Sequence, residues 1–133
     1  MMSAAAELPA ERPRILVIDD EPDIRETLDM VLALAGYEVS TAASGISAIE
    51  RMKTEHFDLV ITDLRMPGLS GIDTVEALRK LDPGLAVIVV SGYASEDATA
   101  RCLAQGALCV MNKPFQLDEL LQVVKDALPP PPG

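Results

Sequence analysis

The chain has 133 residues, enough for one domain around a single hydrophobic core, and 49% of them are apolar. Its formal charge of −10 opposes binding to nucleic-acid phosphate, which relies on clustered Lys and Arg, so no direct nucleic-acid binding is expected. No apolar run reaches the roughly 18 residues of a membrane span, and the start, MMSAAAELPAERPR, has no basic region followed by an apolar one, so a cytoplasmic protein without membrane contact is expected.

In chain order, residues 1–13 are Ala-rich and interrupted by Pro, and read as a flexible tail. RILVI at 14–18 is the first of five short apolar runs, followed by YEVSTA at 37–42, DLVIT at 58–62, LAVIVV at 85–90 and ALCVM at 107–111. Four are nearly continuous in apolar and β-branched residues, as parallel strands covered on both faces require. The second alternates Tyr37 and Val39 with Glu38 and Ser40, the pattern of an edge strand.

Amphipathic segments separate the runs. Pro22 suits a first helical turn, Ile24, Leu28, Val31, Leu32 and Ala35 share one face, and Gly36 supplies the stop. Ser44 can cap a second helix with Ile46, Ile49 and Met52 inward, and SGID at 70–73 resembles a capping box before Val75, Leu78 and Leu81. Asp82-Pro83-Gly84 makes a turn, Ser95 can cap a fourth helix ending near Gly106, and Leu117, Leu120, Leu121, Val124 and Leu128 line a fifth. PPPPG at 129–133 cannot continue that helix and reads as a tail or linker stub. Five alternating strands and helices over 14–128 imply an α/β, flavodoxin-like (βα)5 three-layer sandwich with a parallel sheet of order 2-1-3-4-5.

Ligands of open α/β sheets bind beyond the carboxyl ends of the strands. There the first strand gives way to Asp19 and Asp20, the third to Asp63, the fourth to Ser91 and the fifth to Lys113. Were the first strand to continue, Asp19 and Asp20 would point to opposite faces, so it is read as ending before them. Two carboxylates about 5 Å apart repel by roughly 3 kcal/mol at an effective dielectric near 20. A hard divalent cation with oxygen ligands, such as Mg²⁺, answers that repulsion, and Lys113 offsets part of it.

Taken singly these residues have ordinary readings: a cap for Asp20, a solvated lysine for Lys113, a turn residue for Ser91. Cys102 and Cys109 fit neither a CxxC motif nor a zinc knuckle and read as reduced packing residues, and His56 as a surface residue in the turn before the third strand.

Together, VIDDEPD, VITDLRMPGLSG, VVSGYAS and NKPF resemble, in order and at the usual spacing, the signature segments of response-regulator receiver domains of two-component phosphorelay signalling. The resemblance covers residues 14–128. It implies that Asp63 is the phosphoacceptor for a histidine-borne phosphoryl group. Asp19, Asp20, Asp63 and the backbone carbonyl of Arg65 would then organise Mg²⁺, with Mn²⁺ as a substitute. Ser91 would hydrogen-bond the phosphoryl group and Lys113 pair with it, across a Lys113-Pro114 bond that is usually cis. It implies a sensor histidine kinase or histidine phosphotransfer protein as partner, an unknown downstream effector, and a homodimer through the face of helix four, strand five and helix five. Only self-phosphorylation and self-dephosphorylation are implied, without turnover of an independent substrate.

Arg65 and Tyr93 stand at positions that flank the phosphoryl group in such domains. Val110 replaces the aromatic residue that many of them carry three positions before the lysine, and Phe115 reads as core packing. Two alternatives stay open: an interaction module that signals without phosphorylation, and an aspartate-nucleophile phosphatase. The second lacks its DxD motif after the first strand, since DDE has adjacent acids.

Overall fold

Every apolar run is a strand and every amphipathic segment a helix. The computed structural model, which describes residues 12–65, 68–92 and 94–129, contains β1 (Arg14–Ile18), α1 (Pro22–Leu34), β2 (Glu38–Ala42), α2 (Gly45–Met52), β3 (Leu59–Asp63), α3 (Gly71–Leu81), β4 (Ala86–Ser91), α4 (Glu96–Ala104), β5 (Cys109–Asn112) and α5 (Leu117–Ala127). All neighbouring strands are parallel, in the order β2-β1-β3-β4-β5. This is the flavodoxin-like three-layer arrangement.

Strand alternation divides the core in two. Leu16, Ile18, Val60, Val87 and Val89 pack with Ala48, Val75, Leu78 and Cys102, the layer of α2, α3 and α4. Ile15, Val17, Leu59, Ile61, Ile88 and Val90 pack with Leu28, Leu32, Leu120 and Val124, the layer of α1 and α5. Each Val, Leu or Ile side chain among them, fully buried, contributes about 1.5–3 kcal/mol from removal of apolar surface from water. Cys102 belongs to the first layer and Cys109 packs against the second, so the two free thiols lie on opposite faces of the sheet. Burial pushes both thiols above the usual cysteine range, which keeps them protonated.

The helix starts follow the side-chain caps: Ser44 accepts the Ser47 amide at 3.1 Å, Ser70 the Asp73 amide at 3.2 Å and Ser95 the Ala98 amide at 3.0 Å. Gly36, with φ of 105°, follows α1 in a backbone conformation that a side chain would disfavour.

Three details differ from the sequence reading. β3, β4 and β5 each begin and end later than the apolar runs, so Asp63 and Ser91 are the last ladder residues rather than the first loop residues. Ile46 is 57% exposed, because the inward stripe of α2 starts at Gly45 and continues through Ala48, Ile49 and Met52. Gly45 is pressed so close to Thr74 that a Cβ there would collide with the Thr74 hydroxyl. Leu81 is 46% exposed, at the C-terminal end of α3 past the buried positions Val75 and Leu78. Residues 1–11 and 130–133 of the two tails lie outside the described residues. Among the described residues no helix is long and apolar enough to cross a membrane.

Candidate functional site

The first acidic turn is built by the end of β1. The ladder closes at Ile18, paired with Ala42 on one side and Thr62 on the other. The Asp19 amide still donates to the Ala42 carbonyl at 3.2 Å, while Asp19 Oδ1 accepts the Glu21 amide at 2.9 Å and folds the chain over at Asp20. Asp19 is thereby buried, 1% exposed, whereas Asp20 is exposed.

Asp63 ends β3 opposite Val90, is 5% exposed, and accepts the Arg65 amide on Oδ1 at 3.1 Å. Ser91 ends β4, fully buried, opposite Asn112, and its carbonyl accepts the Lys113 amide at 2.6 Å. The Lys113-Pro114 peptide is cis. The Lys113 ammonium reaches back across the sheet edge to Asp19 Oδ2 at 3.0 Å, Asp63 Oδ2 at 3.0 Å and Glu21 Oε1 at 3.5 Å.

Burial pushes the Asp19 carboxyl above its usual value, against the opposing pull of the Glu21 amide and Lys113, with Asp63 adding to the rise. Burial opposes the charge of Lys113 too, but its hydrogen bonds to Asp19 and Asp63 and their charges outweigh it and hold the ammonium above the usual lysine range. The pair thus has an ammonium that keeps its proton and a buried carboxylate that it only partly compensates.

Carboxylate oxygens of Asp19, Asp20 and Asp63 come within 4.8 Å of one another. An all-oxygen donor set with one exposed member fits a hard cation that keeps part of its water, as Mg²⁺ does. Of the residues expected at the site, Asp19, Asp20, Asp63, Ser91 and Lys113 therefore lie along one edge, with the Arg65 backbone beside Asp63. Tyr93 lies outside the described residues. Val110 packs partly buried against the α2–α4 layer, and Phe115 against the α1 and α5 layer. His56 is at the other end of the strands, 68% exposed, with Nε2 3.1 Å from Asp58 Oδ1.

Three participants escaped the sequence reading. Glu21 is a third acid on Lys113. Gly71 starts α3 directly under Asp63, where a Cβ would strike the Leu64 Cα and lie 2.5 Å from the Asp63 carbonyl oxygen. Arg25, in the first turns of α1, donates from Nη1 to the Asp19 carbonyl at 2.6 Å. Its signal was present in the sequence: a cation near a helix N-terminus opposes the helix dipole and calls for a specific partner.

A family model described as response regulator receiver domain matches residues 15–125. The chain is 34% identical over 116 residues to sporulation initiation phosphotransferase F of Bacillus subtilis, covering 87% of this chain and 94% of that protein. It is 40% identical over 116 residues to the transcriptional regulatory protein PrrA of Mycobacterium leprae, covering 87% of this chain and 50% of that one, so it spans about half the length of that relative. The solved structure of the response regulator protein TrrA of Thermotoga maritima, in complex with Mg(2+)-BeF, superposes with a TM-score of 0.79 at 38% identity, over 87% of this chain and 99% of that one.

Proposed function

The chain belongs to the response regulator receiver domain family, and from that premise we propose that it is a phosphoacceptor, with Asp63 taking the phosphoryl group of a phosphohistidine on a sensor histidine kinase or histidine phosphotransfer protein. A carboxylate oxygen of Asp63 forms the new O–P bond as the P–N bond to the imidazole breaks, leaving an acyl phosphate on the aspartate. The observation that carries this reading is the buried Asp63 carboxylate, 3.0 Å from the Lys113 ammonium and grouped with Asp19 and Asp20.

The roles follow from charge. Asp19, Asp20, Asp63 and the Arg65 carbonyl would hold Mg²⁺, or Mn²⁺ in its place, whose positive charge offsets that of the phosphoryl oxygens. Lys113 turns from Asp19 toward the new phosphoryl oxygens, and the Ser91 hydroxyl donates to them. The Ser91 carbonyl accepts the Lys113 amide, so a shift of one residue would be passed to the other. Their shift would alter the surface of α4, β5 and α5, the face proposed for the effector and for a homodimer. The chemistry is confined to loading and loss of this phosphoryl group, in the cytoplasm, with no other substrate turned over.

A second reading, a module that signals without phosphorylation, is favoured by Val110, which offers no ring to couple the site to that face. A Mg²⁺ titration followed by amide NMR separates the two. Shifts confined to the turn at Asp19–Asp20 and the ends of β3 and β5, lost in Asp63→Asn, support the phosphoacceptor. A wild type without site-specific shifts supports the scaffold.

A further inference from the structure

We propose that Arg25 is a positioning residue that fixes the acidic turn for the cation, an inference that rests on the metal-holding role given above to Asp19, Asp20 and Asp63. Asp19 lies one residue past the last β1 pairings, to Ala42 and Thr62, yet its amide still bonds the Ala42 carbonyl. In a parallel ladder its own carbonyl would next accept an amide from the continuing neighbour strand. That neighbour has turned away, since Ser44 already caps α2. The Arg25 guanidinium fills the place of the missing strand amide at 2.6 Å.

Asp19 is then held at four points: amide to Ala42, carboxylate Oδ1 to the Glu21 amide and Oδ2 to Lys113, carbonyl to Arg25. The Oδ1 bond closes a turn around the Asp19–Asp20 peptide, and the tilt of that peptide plane bears on where the exposed Asp20 carboxylate points. The Arg25 bond is the one of the four that holds the carbonyl oxygen of that plane and so fixes its tilt. The bond ties the turn to α1, because Arg25 also continues the helix through its amide to the Glu21 carbonyl. A charged donor to a backbone carbonyl is among the stronger protein hydrogen bonds, and the nearby carboxylates, which outnumber Lys113, favour the guanidinium electrostatically.

Position and charge predict opposite signs, which makes the role testable. Were Arg25 a spectator, removing its positive charge from beside the carboxylates would tighten Mg²⁺ binding. As a positioning residue, its loss lets Asp20 wander and weakens binding by about tenfold, the scale of outer-shell substitutions.

The experiment measures Mg²⁺ affinity of the full chain by calorimetry or amide NMR for wild type, Arg25→Met and Asp63→Asn. Weaker binding in R25M than in wild type supports the proposal, and equal or tighter binding overturns it. A wild type whose Mg²⁺ binding is absent, or survives unchanged in D63N, refutes the metal site itself and is thereby told apart. A second readout needs no metal: the Glu21 amide, bonded to Asp19 Oδ1, exchanges with solvent faster in R25M relative to the β3 amides, whose protection reports that the sheet is intact. Unchanged relative exchange contradicts the proposal.

Discussion

The Lys113 ammonium lies 3.0 Å from Asp63 Oδ2 across a sequence separation of 50 residues, and 3.0 Å from Asp19 Oδ2 across 94. One cation therefore holds together the ends of β1, β3 and β5. It supplies positive charge of the kind a metal would add there, so the carboxylates are bridged by the chain's own lysine.

Lys113→Met removes that cation and leaves the buried Asp19 and Asp63 facing each other. The expected outcome is a loss of about 2 kcal/mol of metal-free stability at neutral pH, below the full cost of breaking a buried pair because the side chain is 15% exposed. Mg²⁺ affinity should rise, since the competing ammonium is gone. Urea unfolding with and without Mg²⁺ checks both.

The pH dependence has a definite sign for each partner. Lys113 is held above its ordinary 10.5, so its stabilising contribution is full below that pH and is lost as pH rises through the higher folded value. Asp19 runs the other way. Its carboxyl is held above 3.8, so the folded state binds that proton more tightly, and stability is given up as pH rises from 3.8 through the folded value. Asp19→Asn should therefore raise the midpoint of thermal unfolding of the metal-free protein at neutral pH, by about 4 °C per kcal/mol relieved. A scan of midpoint against pH for wild type and D19N should converge at acid pH and separate above it.

Gly71→Ala, at the first helical position after the Ser70 cap, runs against the general preference of helices for Ala over Gly. The new methyl meets the Leu64 Cα and the Asp63 carbonyl, backbone atoms that cannot yield without moving the end of β3. We expect a net loss of about 2 kcal/mol, the scale of overpacking, together with weakened Mg²⁺ binding. Denaturation of G71A beside Ile72→Ala, which creates no such contact, distinguishes the collision from a general loss of packing.

The fold was legible because its signals agree. Buried parallel strands read as apolar runs, Ser44, Ser70 and Ser95 mark helix starts, and the acids, the serine and the lysine each follow a run. Ile46 was misplaced because the stripe of α2 is set by Gly45 and Ala48, residues too small to register as hydrophobic anchors. Arg25 and Gly71 were missed for another reason. Arg25 binds the Asp19 carbonyl and Gly71 lies close against the backbone of Asp63 and Leu64, and contacts with backbone leave no periodicity in the sequence. The approach of Glu21 to Lys113 depends on where β5 ends, which the spacing of the sequence alone does not give.

The most direct measurement is the intact mass of the protein after incubation with a small acyl phosphate and Mg²⁺, for wild type and Asp63→Asn. The account predicts one added phosphoryl group per chain in the wild type, none in D63N, and none in the wild type when the metal is chelated. Labelling that persists in D63N, or a folded wild type that binds Mg²⁺ and takes up no phosphoryl group, would contradict it.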